Sequence, residues 1–114
     1  MAVAPPSRHR GEAHPYDVPL DPDQTARRVD LLRALADPTR LEIMAILKHA
    51  RGPVCVCDLT ASFELSQPTL SHHLARLRDA NLIEVRRQGV WSWYSLPTRP
   101  EPAAARLLDA LLRS

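Results

Sequence analysis

Leu59-Thr60-Ala61-Ser62-Phe63-Glu64-Leu65-Ser66-Gln67-Pro68-Thr69-Leu70-Ser71-His72-His73-Leu74-Ala75-Arg76-Leu77, residues 59–77, decides the fold. Leu59 and Phe63 stand four apart, as on one face of a short helix. Glu64-Leu65 makes a turn. Ser66 then suits a helix N-cap, with Pro68 in the first turn, where a missing N–H breaks no intrahelical bond. Leu70, Leu74 and Leu77 continue at helical spacing, and the helix runs to about Ala80. Two helices joined by so short a turn make a helix-turn-helix.

Downstream, Leu82 to Arg87 and Val90 to Leu96 are rich in β-formers, and Gln88-Gly89 between them reads as a hairpin turn. A hairpin directly after a helix-turn-helix is a wing. A last helix is expected over about Glu101 to Arg113. Its Ala104, Leu107, Leu108, Leu111 and Leu112 exceed what a lone terminal helix buries in a small domain, which points to packing against a second subunit. Upstream, Asp37 caps a helix with Pro38 at its first position. Leu41, Ile43, Met44, Ile46 and Leu47 cover most of that helix and mark it as the central, buried one. Asp23 is the expected cap of an earlier helix ending near Ala36, with Ala26, Val29, Leu32 and Leu35 as its apolar stripe. Residues 1–22 hold five of the eleven prolines and almost no apolar periodicity. We read 1–22 as a disordered or loosely ordered tail and 23–114 as one domain. The expected class is mainly α with a small β-hairpin: a winged helix-turn-helix of about five helices plus a two-stranded wing.

The composition agrees with one soluble domain. At 114 residues, 45% apolar and 25% charged, the chain can bury a modest core. No apolar run is long enough for a membrane span, and no apolar leader opens the chain, so a cytoplasmic location is expected. Thiols stay reduced there, which disfavours a structural disulfide. The net charge of +2 is too mild to establish nucleic-acid binding. Its distribution says more: Arg76, Arg78, Arg86 and Arg87 outnumber Asp79 and Glu84 around the helix-turn-helix and wing.

Cys55 and Cys57 are the only cysteines. Within a helix, residues two apart point about 200° apart and cannot share one ion. Cys55 at the N-cap escapes that constraint, because a cap residue has non-helical angles and its side chain folds over the first turn. Asp58, three residues after Cys55, mimics capping-box spacing with a thiol in place of a hydroxyl. A helix N-terminus lowers thiol pKa, so both groups are expected to ionise more readily. Two such thiolates would select soft ions such as arsenic(III), cadmium or lead over magnesium or nickel. The spacing alone serves equally well a poor cap beside a small buried apolar residue.

Ser66, Gln67, Thr69, Ser71, His72 and Arg76 lie away from the leucine stripe, and all can hydrogen-bond base edges or phosphates. The same residues would also suit a merely solvated face. Arg86 and Arg87, beside the hairpin turn, would follow phosphates or the minor groove. His73 falls on the core side and reads as structural. His49 ends the second helix, where a cation suits the dipole. His9 and His14 lie in the tail.

Four stretches, in order, resemble the ArsR/SmtB family of winged-helix metalloregulatory repressors. They are Leu35-Ala36-Asp37-Pro38-Thr39-Arg40-Leu41, Cys55-Val56-Cys57-Asp58-Leu59, Leu65 through Leu74, and Leu82-Ile83 through Trp91 to Tyr94-Ser95-Leu96. The resemblance covers about residues 25–112, and the cysteine run is similar to the arsenic- and antimony-responsive branch. It implies a homodimer joined through the first and last helices, a palindromic double-stranded operator as partner, and arsenite or antimonite as inducer at Cys55 and Cys57. It implies no organic cofactor and no membrane partner. That branch commonly has a third cysteine where Thr60 stands here, so a third ligand would come from solvent, a small thiol or the tail. The zinc site that another branch carries on its last helix has no counterpart, since residues 98–114 contain no histidine.

Three alternatives remain open. The same repressor could sense cadmium, lead or zinc, or it could sense thiol oxidation or reactive sulfur. A metal buffer would bind ions without DNA. An enzyme is not expected, because no catalytic signature surrounds the cysteines.

Overall fold

The computed structural model describes residues 2–113; Met1 and Ser114, the outer limits of the expected tail and domain, lie outside them. Eight elements follow one another: α1 (Pro22–Leu35), α2 (Pro38–His49), β1 (Val54–Cys55), α3 (Val56–Phe63), α4 (Gln67–Asp79), β2 (Glu84–Gln88), β3 (Trp91–Ser95) and α5 (Pro102–Leu112). This is the expected winged helix-turn-helix, with five helices, and its sheet gains a strand. Val54-Cys55 pairs antiparallel with β3, so the strand order is β1-β3-β2. A two-residue strand has no periodicity to betray it; only its partner defines it.

Local rules place most helix ends. Asp37 accepts from the Arg40 N–H at 3.0 Å, and Pro38 follows at the first position. At α1 the cap is Asp21, not Asp23. Asp21 accepts from the Gln24 N–H at 2.8 Å, and the Gln24 side chain accepts from the Asp21 N–H at 3.1 Å. That reciprocal box, with Pro22 at the first helical position, outcompetes a lone Asp23. The turn between β2 and β3 is Gly89-Val90, with Gln88 already paired to Trp91. Gly89 takes a positive φ of 62°, as a two-residue hairpin requires.

The core lies between α2, α4 and α5, capped by α1 and α3. Ile43, Met44, Leu59, Leu70, Leu74, Leu77, Leu82 and Ile83 are buried there, with Tyr94 and Leu96 of the wing packed against them. The α1 stripe is corrected. Leu31, Ala34 and Leu35 face inward, while Val29 and Leu32 are exposed at 37% and 55%. Both sets satisfy helical spacing, and the position of α2 and α4 selects one. On α5, Ala104, Leu108 and Leu112 are buried, and Leu111 remains half exposed. Lys48 pairs with Asp109, and His49 Nε2 lies 3.3 Å from the Leu112 carbonyl oxygen, which ties the end of α2 to α5.

Candidate DNA-binding face and thiol site

The start of α4 presents a polar, solvent-facing surface. Ser66, Gln67, Thr69, Ser71, His72 and Arg76 are all exposed, while Leu70, Leu74 and Leu77 are buried beneath them. Ser66 is more constrained than its sequence suggests. Its Oγ accepts from the Thr69 N–H at 3.3 Å and donates to Thr69 Oγ1 at 2.9 Å. In the wing, Arg86 and Arg87 are both exposed but lie on opposite faces. Arg86 stands across from Trp93, and Arg87 across from Ser92.

The helix that carries this face is tied to α1 and α2 by one side chain. Arg40 Nε donates to the Ala34 carbonyl at 2.6 Å and Nη2 to that of Arg33 at 3.3 Å, which satisfies open carbonyls at the end of α1. Its Nη1 donates to His73 Nδ1 on α4 at 3.2 Å. Asp37 Oδ2 lies 3.7 Å from the same Nδ1. The Arg40 N–H holds the Asp37 carboxyl below its ordinary value, and the Arg40 and His73 charges help against the opposing effect of burial. His73 is structural, as expected. Arg40 was not singled out from the sequence, although its place three residues after a capping Asp was a signal.

Cys55 and Cys57 occupy unequal sites. Cys55 is the N-cap of α3, as expected; it is 3% exposed, and its Sγ accepts from the Cys57 N–H at 3.4 Å. Cys57 is exposed, and both thiols are free. The Cys57 thiol is pushed up from its ordinary value, first by its interaction with the Cys55 side chain. Burial and the negative charges of Cys55 and Asp58 act in the same direction, while the Asp58 N–H opposes them. The expected lowering at the helix N-terminus therefore does not hold for Cys57. The neighbouring Cys55 sulfur and the Asp58 charge act against the partial positive charge of the helix N-terminus.

Thr60 does not replace a third thiol. Its hydroxyl donates to the Val56 carbonyl at 2.9 Å, along its own helix. Among the described residues, no group of three His, Cys, Asp or Glu side chains is placed to hold a metal. In the tail, His14 Nε2 meets Glu12 Oε2 at 2.9 Å, with both residues exposed. Two soft donors, one buried and one exposed, fit a thiophilic ion that takes its remaining ligand from elsewhere. No helix among the described residues is long and apolar enough to cross a membrane.

Residues 37–85 match the model of the family described as bacterial regulatory protein, arsR family. The chain is similar to the arsenic resistance transcriptional regulator ArsR1 of Pseudomonas putida, 42% identical over 83 residues, 73% of this chain and 61% of the relative. It is 41% identical over 85 residues to the arsenical resistance operon repressor of Escherichia coli, 75% of this chain and 72% of that one. Thus the match spans only about three fifths of the Pseudomonas relative's length. Among solved structures, HlyU from Vibrio cholerae superposes with a TM-score of 0.68 at 33% identity, over 82% of this chain and 100% of that one. These relatives are regulators rather than enzymes.

Proposed function

This chain belongs to the arsR family of bacterial regulatory proteins, and from that premise we propose that it is a metalloid-responsive transcriptional repressor. As a homodimer it binds a palindromic operator, and it releases the operator when arsenite or antimonite binds Cys55 and Cys57. One observation carries the inducer reading: the only two cysteines stand together at the start of the helix that leads into α4, where Cys55 Sγ accepts from the Cys57 N–H at 3.4 Å. The names of the Pseudomonas and Escherichia relatives support arsenic as the signal.

Dimerisation accounts for the apolar surface left on the first and last helices. Val29 and Leu32 on α1 and Leu111 on α5 gain burial only from a partner. A two-fold dimer presents two copies of α4 to successive major grooves. Ser66, Gln67, Thr69, Ser71, His72 and Arg76 then meet bases and phosphates, and Arg86 and Arg87 meet the flanking backbone.

The chemistry at the thiols is ligand exchange. Arsenous acid loses two hydroxyls as water, each taking the proton of one thiol, and two S–As bonds replace two As–O bonds. No electrons are transferred. The third position on arsenic keeps its hydroxyl or takes a donor from a small thiol or the tail.

A band-shift titration with sodium arsenite on the gene's own promoter tests the proposal. Release by arsenite in wild type and its loss in Cys55→Ser and Cys57→Ser, with operator affinity retained, is the expected result. Undiminished release in both variants would overturn it.

A further inference from the structure

Cys55 belongs to two structures at once: it caps α3, and it is the last residue of β1. The register places Cys55 opposite Trp93, and Trp93 opposite Arg86. Directly opposed residues in antiparallel strands share a face. Cys55, Trp93 and Arg86 therefore form one row across all three strands, from a buried thiol to an exposed cation near the wing tip. The parallel row, Val54-Tyr94-Val85, lies on the other face, where Val54 and Tyr94 pack against the core.

The other DNA-facing element is anchored differently. Arg40 ties α4 to the end of α1, and Leu70, Leu74 and Leu77 bury its inner face. Between α3 and α4, Glu64 holds a left-handed conformation with φ of 50°. A tilt at the start of α3 therefore meets an abrupt turn and a helix already held by other partners. The wing meets no such barrier, because its central strand is paired directly with the residue that would move.

We propose that the inducer signal leaves Cys55 through the wing, with Trp93 as the positioning residue that couples the thiol to Arg86 and to the Gly89-Val90 tip. This rests on the reading of Cys55 and Cys57 as the inducer site. Drawing the Cys55 sulfur toward a shared ion with Cys57 moves the residue that is paired directly with Trp93. β3 then shifts in the ladder. The tip lies three residues beyond Trp93, about 10 Å along the strand, so a small rotation at the pair moves the tip further. Val90, 92% exposed there, offers no packing to resist it.

Full-length protein titrated with sodium arsenite, without DNA, gives the direct test by amide exchange. Residues 84–95 should change protection by about tenfold, and α4 by less than about threefold. Cysteine alkylation run alongside reports occupancy. Protected thiols with a changed α4 and an unchanged wing would overturn the wing route while leaving the inducer site standing. Thiols alkylated equally with and without arsenite would overturn the inducer site and this inference with it. Trp93→Ala should bind arsenite with the wild-type stoichiometry yet lose roughly tenfold or more of the operator release. Trp93→Phe should restore most of it. Full release in Trp93→Ala would sink the assignment of Trp93, and the wild-type exchange result stands whether or not that variant folds.

Discussion

The two helices of the helix-turn-helix are capped by chemically related residues that leave them unequally held. Ser66 caps α4 with a hydroxyl that is itself fixed by Thr69. Cys55 caps α3 with a sulfur, 3.4 Å from the N–H it accepts. Sulfur is a weak acceptor, so little is lost when that bond breaks. The Ser66 cap also has Arg40 behind it, holding α4 from the opposite side. α4 is thus held by a hydroxyl cap and by Arg40. α3 begins on the weaker sulfur contact.

The contrast breaks most directly at the thiols. Cys57→Ser should leave operator affinity within about threefold and abolish an arsenite-driven release of about 1–3 kcal/mol, or 5- to 150-fold. Fluorescence anisotropy of labelled operator reads both quantities. Next in size, Arg76→Ala should weaken operator binding by about 1–3 kcal/mol if it contacts a base edge. A uniform loss across operator variants, with a shallower salt dependence, would assign it to phosphate instead.

The caps themselves come third. Ser66→Ala should cost about 1 kcal/mol of stability, a fall of about 4–8 °C in Tm for a domain of this size. Cys55→Ser, which swaps the weak cap for a strong one, should lower Tm by clearly less or raise it. Equal losses in the two variants would erase the distinction drawn between them. The smallest effect is expected at Asp37. Its folded pKa is lowered, so its stabilisation is present above its unfolded pKa and fades as pH falls through the lower folded value. Urea melts from pH 6 down to pH 3 should show this loss below about pH 4, and Asp37→Asn should remove that component of the slope.

Capping and periodicity made most of the fold readable. Asp37, Cys55 and Ser66 were identified as caps from their neighbours alone, and each caps its helix in the structure. The leucines of α4 were placed inward by spacing, and they are buried. The polar residues of α4 were picked out in the same way, since the face opposite a buried stripe is the exposed one. Where two answers satisfied the same rule, sequence reasoning chose wrongly. Asp21 and Asp23 both suit a cap, and α1 carries apolar residues on more than one side.

Helix positions, capping residues and the paired thiols follow from the sequence because each depends on residues within a turn or two of itself. Two features depend on partners far along the chain, and folding alone decided them. Val54-Cys55 becomes a strand only because β3 lies beside it. Arg40 becomes the link between α1 and α4 only because His73 arrives within reach.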